Sequence, residues 1–436
     1  MKKVLAIVLA SAMVFVVCGC SSKPDDTLSQ QMEYEHEQII VDQNGNPVTS
    51  NPSTSSEGDT TNSSTDNSSN TSSNTSSNNE IFIDYNTVVE VDICDDIIRG
   101  YLDASTPERQ FSWLNEYSGT RYDHQVLDLD WNFDGSSSYT ITFSENADFS
   151  NAYIVKTNYM DIDNLNLIPG KTYYWKVTGT WNDKPLGGGK IHVKDAPVRW
   201  MNIDGVANVR DMGGWKTGSG KTVKYGMLYR GQKLEGVTEE GIATIKQLGL
   251  KTEFDIRYAS QKFQTPGTGM NYEFIESPGQ YDNVLNTNGD VFKASYKRVF
   301  ELLADKNNYP FYAHCNAGAD RTGTFAFIVN GVLGVSYEDL TRDFELTSFG
   351  SNSTSAKRWR ADDTGDKDGQ MNYLDMVDKN KTDGNYVAWG KLYNEMMEYG
   401  RKGGYTDLQS SIEYWLTSYI GVPKSQIDSF KSIMLQ

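Results

Sequence analysis

The chain has 436 residues, too many for one ordinary domain, so two folded units joined by spacers are expected. Its 58 acidic residues against 40 basic ones leave a formal net charge of −18, which argues against a surface for nucleic acid or an anionic membrane. It has four cysteines, Cys18, Cys20, Cys94 and Cys315, too few for a secreted fold that relies on disulfides.

At the N-terminus, Lys2 and Lys3 precede an apolar run from Val4 to Val17 that is short for a membrane span. That is the form of a secretory signal. The run closes in Val-Cys-Gly-Cys-Ser-Ser, residues 17–22, which resembles a bacterial lipobox. The resemblance implies a lipoprotein signal peptide over 1–19 and Cys20 as the lipidated first residue of the mature protein. It also implies a location at the bacterial cell surface, extracytoplasmic and lipid-anchored to the membrane. Residues 20–79 then form a tether. From about Asp42 to Asn79 it is almost all Ser, Thr and Asn, a composition that cannot bury a core and stays disordered. A coil of that length reaches roughly 30–37 Å on average.

Residues 80–196 read as strands. TVVEVDI and SSYTITFS alternate in polarity, and LNLIPGKTYYWKV, residues 165–177, looks like a loop entering an aromatic strand. The stretch from Arg99 to Gln125 is ambiguous. Residues 165–177 resemble the corresponding part of fibronectin type III-like sandwiches, which implies a small all-β sandwich serving as spacer or docking module.

After Pro197, strands and helices alternate, the pattern of an α/β domain over 197–436. In TEEGIATIKQLG, Ile242, Ile245 and Leu248 fall at helical spacing behind a possible Thr238 N-cap. KTEFDIR and NYEFIES read as strands. GDVFKASYKRVFELLADK places Phe292, Tyr296, Val299, Phe300 and Leu303 on one helix face. YPFYAH reads as a buried strand, and TGTFAFIVNGVLGV as a helix apolar nearly all round. Gly334 can end that helix, and Ser336 to Asp339 fits a capping box for the next. A helix, Gly-Val, helix unit occurs around Gly334 and again around Gly421. Between the two, residues 350–385 are polar and read as a solvated insertion.

The chemistry concentrates in HCNAGADRTG, residues 314–323. A strand, a tight loop and a helix beginning near Arg321 would bring backbone N–H groups and a helix N-terminus to one anion. Cys315 would lie at the floor of that cradle, where the same field stabilises a thiolate. Asn316, Ala317, Gly318, Ala319, Asp320 and Arg321 would then bind phosphate, the small side chains leaving room for its oxygens. Arg321 can grip two of those oxygens with its planar fork.

This decapeptide resembles the signature of cysteine-dependent protein tyrosine phosphatases, in the form of their bacterial branch. NVRDMGGWKT and GKTVKYGMLYRGQKL, within residues 208–234, and FDIR, residues 254–257, resemble other signatures of that branch. The resemblance implies a phosphatase-like central sheet flanked by helices and a two-step mechanism through phosphocysteine, without metal or cofactor. It casts Cys315 as nucleophile, Arg321 as binder of phosphate and transition state, Thr322 as donor to the departing sulfur, and His314 as organiser of the loop. Asp320 aligns with a general acid proposed in related enzymes; its alternative role is to fix Arg321. Asp282 and Asp290 lie where an upstream acid loop would fall, although Asp290 also reads as a helix N-cap. Arg210, Asp211, Arg230, Asp255 and Arg257 read as charges that pair with one another inside the domain.

The expected substrate is a phosphorylated protein, phosphotyrosine first, with phosphoserine or phosphothreonine, an inositol phosphate or a phosphoinositide as alternatives. The lysine that lipid-active relatives carry before the loop aspartate is Ala319 here, which counts against phosphoinositides. A papain-type hydrolase would need a separate histidine, yet of the four histidines only His314 lies in this domain. A sulfurtransferase and a catalytically silent phosphate-binding surface protein are the remaining rivals.

Overall fold

In a computed structural model the described residues are 83–117, 127–158, 161–162, 166–181, 183–196, 198–276, 289–350 and 388–436. All of them belong to one compact unit, Ser76–Gln436. The expected signal peptide, Cys20, the tether, Asp282 and most of the polar insertion lie outside the described residues.

The N-terminal part contains β1 (Ile83–Val91), α1 (Asp96–Asp103), α2 (Pro107–Tyr117), β2 (Leu127–Asp128), β3 (Tyr139–Ser144), β4 (Tyr153–Thr157), β5 (Asp161–Ile162), β6 (Thr172–Gly179) and β7 (Pro185–Val193). Five strands form one sheet in the order β1-β7-β6-β3-β4, and β2 pairs with β5. Polarity alternates along β3 and β6 as the sequence suggests: Tyr139, Ile141 and Phe143 meet Tyr173, Trp175 and Val177 in a buried cluster.

The span is not all strand, however. Asp95 caps α1 by accepting from the amide of Ile97 at 2.7 Å, and Ile98, Tyr101 and Leu102 form its buried face. That face, with Leu114 of α2, packs into the same apolar core as Trp200, Met212 and Phe349. The Tyr101 hydroxyl donates to Glu345 Oε2 at 2.6 Å. These helices thus belong to the core of the C-terminal part. Eight-residue α1 is too short to hold without that docking.

The C-terminal part is α/β. Its strands are β8 (Arg210–Asp211), β9 (Leu228–Gly231), β10 (Thr252–Asp255), β11 (Asn271–Phe274) and β12 (Phe311–His314). Its helices are α3 (Glu239–Gln247), α4 (Gly289–Leu303), α5 (Asp320–Leu333), α6 (Tyr337–Glu345), α7 (Ala388–Lys402), α8 (Leu408–Tyr414) and α9 (Lys424–Met434). The sheet order is β11-β10-β12-β9-β8, parallel except for β8.

Local signals decide most of these helices. Thr238 accepts from the Gly241 amide at 3.1 Å and starts α3. The apolar face of α4 is buried at Phe292, Tyr296, Val299, Phe300 and Leu303, and the helix begins at Gly289, so Asp290 sits in its first turn. Helix α5 is buried along its length from Arg321 and ends at left-handed Gly334, with Ser336 capping α6. Gly421, also left-handed, precedes α9 in the same way.

Strand β12 lies in the middle of the sheet. His314 pairs with Asp255 of β10 on one side and Gly231 of β9 on the other. Three strand ends therefore converge where the chain turns into the cysteine loop, the edge at which open parallel sheets bind ligands.

Candidate active site

Cys315 follows β12 directly, is 3 % exposed and carries a free thiol, as does Cys94. Cys94 is buried in apolar surroundings that push its thiol up to about 12, the setting of an inert cysteine.

From Cys315 the loop runs through Asn316, Ala317, Gly318 and Ala319 to Asp320, where α5 begins. Gly318 sits at φ 69°, and a Cβ there would lie 2.3 Å from the carbonyl carbon and oxygen of Gly231. Only glycine satisfies both conditions.

Five consecutive carbonyls of the loop are held from outside it. The Cys315 oxygen meets His314 Nδ1 at 3.1 Å, and the Asn316 oxygen accepts from the Lys233 amide at 3.2 Å. Asn208 Nδ2 donates to the Ala317 oxygen at 2.9 Å. Arg230 Nη2 donates to both the Gly318 and Ala319 oxygens, at 2.8 and 3.2 Å. In a trans peptide the next residue's N–H points opposite to the carbonyl. The N–H groups of Asn316 to Asp320 are thereby turned away from these holders, and among the described residues no backbone carbonyl accepts from the amides of residues 316–319. The first turn of a buried helix adds its positive end to them.

Arg321 lies in that first turn. Its Nη1 donates to Gln261 Oε1 at 2.9 Å, and its guanidinium lies 4.8 Å from the Tyr258 ring centre. Thr322 is fully buried, and its hydroxyl has no hydrogen-bond partner among the described residues. His314 bridges the Cys315 carbonyl and Glu253, whose Oε1 lies 2.9 Å from Nε2. A carbonyl only accepts, so Nδ1 is the donor toward Cys315. Asp320 is half-buried at the helix start.

Of the charged residues beside the strands, Asp255 and Arg257 pair with each other, whereas Asp211, Arg210 and Arg230 find partners outside the expected set. Asp255 takes both Arg257 Nε and Nη2, at 2.6 and 2.8 Å, and Arg257 also reaches Glu235 at 2.5 Å. Arg199 pairs with Asp211 at 2.9 Å. Asp343 of α6 accepts from Arg210 Nε at 2.9 Å and Arg230 Nη1 at 2.5 Å. Burial, then the neighbouring Arg230 charge, pulls Arg210 down to about 10.

The expected loop residues thus follow one another between β12 and α5, whereas Gln261, Tyr258, Glu253, Asn208 and Asp343 escape a reading of the sequence. Of these only Asn208 carries a signal, as the first residue of the NVRD motif, and it adopts the left-handed conformation at φ 58°.

Fold and site define an α/β protein whose central strand delivers a cysteine into a loop lined with main-chain amides. The model of the tyrosine phosphatase family matches residues 201–436, more than half of the chain, and the chain belongs to that family. A tyrosine-protein phosphatase candidate of Cupriavidus necator is 25% identical over 168 residues, 33% of this chain and 61% of the relative. The chain therefore spans about three fifths of that relative's length. The core catalytic domain of the S. cerevisiae PP-IP phosphatase SIW14, solved with citrate, matches at 16% identity over 29% of this chain and 73% of that one. Its TM-score of 0.22 is too low to say anything about this chain.

Proposed function

We propose that this chain is an extracytoplasmic phosphomonoester hydrolase, a protein tyrosine phosphatase that works through a phosphocysteine. The observation that carries the reading is the outward anchoring of five loop carbonyls, which leaves a set of amides for the oxygens of a phosphoryl group beside Cys315.

In the first step the Cys315 sulfur uses a lone pair to form the S–P bond. The ester P–O bond breaks, and the leaving oxygen takes a proton from Asp320. Loop amides and the Arg321 guanidinium hold the non-bridging oxygens throughout. In the second step water attacks phosphorus and gives a proton back to the Asp320 carboxylate, while the S–P bond breaks toward sulfur. Thr322, whose buried hydroxyl lacks a partner among the described residues, donates to that sulfur as it leaves. Tyr258, 45 % exposed beside Arg321, offers an aromatic wall suited to a phosphotyrosyl ring. Cys20 and the tether would hold this domain outside the cell, with the N-terminal sheet as a fibronectin type III-like spacer.

The test is hydrolysis of p-nitrophenyl phosphate, followed by a panel of phosphotyrosyl peptides, phosphoseryl peptides and inositol phosphates. The reading requires turnover without added metal, its loss in Cys315→Ser, and a preference for phosphotyrosine. A preference for inositol phosphates would reassign the substrate. Phosphate binding without turnover would make this a silent binding protein. Mass spectrometry of the mature N-terminus checks the lipid on Cys20.

A further inference from the structure

Pointing five successive carbonyls outward crowds their amides together, and in the absence of an anion those amide dipoles repel. Something must therefore hold the loop open before substrate arrives. Three of the five carbonyls are held by neutral or adjacent groups, and the other two, those of Gly318 and Ala319, meet one fully buried cation, Arg230, the Ala319 oxygen also accepting from the Gly323 amide at 2.7 Å. Arg230 is itself fixed from its other terminal nitrogen by Asp343. The same carboxylate holds Arg210, whose Nη2 also reaches the Asp343 carbonyl at 2.6 Å and whose Nη1 bonds to Asn208 Oδ1. Asn208 in turn holds the Ala317 carbonyl. Three consecutive peptide units of the loop thus hang on one buried assembly built from β8, β9 and α6.

The charge of this assembly is incomplete. Among the described residues Arg210 and Arg230 share a single carboxylate, so one positive charge remains there behind the loop. Burying an unneutralised charge is costly unless a counter-charge lies close. Burial, and then the Arg230 charge, lower Arg210 to about 10 even with Asp343 beside it.

Building on the phosphatase reading, we infer that Arg230 is a positioning residue for catalysis: anchored by Asp343, it sets the peptide planes of Gly318 and Ala319, and the surplus positive charge behind them is completed by the oxyanion in the cradle. It touches the loop backbone and acts on substrate only through it. The loop signature is therefore insufficient alone; it needs a guanidinium 88 residues upstream whose fork can reach a carboxylate with one nitrogen and two carbonyls with the other.

Two variants test this, with vanadate as the probe and the melting temperature measured for each. Arg230→Lys keeps the charge but cannot span Asp343 and both carbonyls. Losing charge-assisted bonds of this kind is expected to weaken vanadate inhibition and kcat/KM together by about tenfold to a hundredfold at a temperature where the variant is folded. Asn208→Ala removes the neutral bond to the Ala317 carbonyl together with the bond accepted from Arg210 Nη1, on a buried side chain, and is expected to cost about tenfold in the same two readouts. It decides the matter if the lysine variant does not fold. Alkylation of Cys315 by iodoacetamide at alkaline pH should persist in both, since the sulfur stays in place. Folded variants that bind vanadate as tightly as the wild type overturn the assignment of Arg230. A wild-type protein that neither binds vanadate nor turns over p-nitrophenyl phosphate would instead overturn the phosphatase reading beneath it.

Discussion

Gly318→Ala tests the loop geometry most sharply. At φ 69° an alanine costs roughly 1–2 kcal/mol from backbone strain alone. Its Cβ would also stand 2.3 Å from two atoms of Gly231 and 2.9 Å from the Gln232 nitrogen. Gly231 cannot retreat, because it ends a strand paired with His314 in the middle of the sheet. The loop must therefore move, by roughly 1 Å to restore van der Waals separation. That pulls the Gly318 oxygen from Arg230, a charge-assisted bond worth about 1.5–3 kcal/mol. The combined loss of stability is roughly 3–5 kcal/mol, within what a domain of this size tolerates. The effect on turnover is larger in proportion, since a misplacement of about 1 Å costs on the order of a hundredfold. Gly249→Ala is the matched control: φ is 65° there and a Cβ would meet nothing within 4 Å, so only strain is added. The assay is kcat/KM on p-nitrophenyl phosphate beside thermal melts of both variants. If Gly318→Ala stays within about threefold of wild type in kcat/KM, the loop does not depend on this close approach.

Thr322→Val should leave stability unchanged or raise it by up to about 1 kcal/mol, because the buried hydroxyl it removes has no partner among the described residues. Turnover should fall about tenfold to a hundredfold, with a burst of released phenol marking a slowed second step; steady turnover without a burst would remove Thr322 from the mechanism. Asp255 lies below the ordinary carboxylate range: burial opposes ionisation, but bonds from Arg257, the nearby His314 and the Tyr272 hydroxyl outweigh it. Its stabilising contribution is then complete above about pH 4 and is lost as pH falls through the depressed native value. Asp255→Asn should melt with a shallower acid dependence than wild type, and an identical dependence would refute the assignment. A fragment of residues 197–436 lacks Ile98, Tyr101, Leu102 and Leu114, all buried in its core. It should melt at least ~10 °C lower or fail to stay soluble, and an unchanged melting point would show that α1 and α2 are dispensable.

What the sequence shows and what it hides follow from range. The helices α3, α4 and α5 are legible because their caps and apolar periods lie within a few residues of the groups they serve: Thr238 with Gly241, Ser336 with Asp339. The cysteine loop is legible for the same reason, since amides that surround one phosphoryl group must be neighbours in the chain. Helix α1 is hidden because its eight residues are held by Glu345 and Phe349 from far along the chain, and its surroundings read as strands. Arg230 reads as one more charge to be paired, and it is indeed paired with Asp343 113 residues away. What its spacing cannot reveal is that the other terminal nitrogen faces the loop. The proposed nucleophile is therefore specified by a short motif, whereas the setting of its loop is specified by the strand order, which brings β9 to one side of β12 and β10 to the other. A chain with the decapeptide intact and Arg230 or Gly231 replaced would keep the signature and lose the bowl.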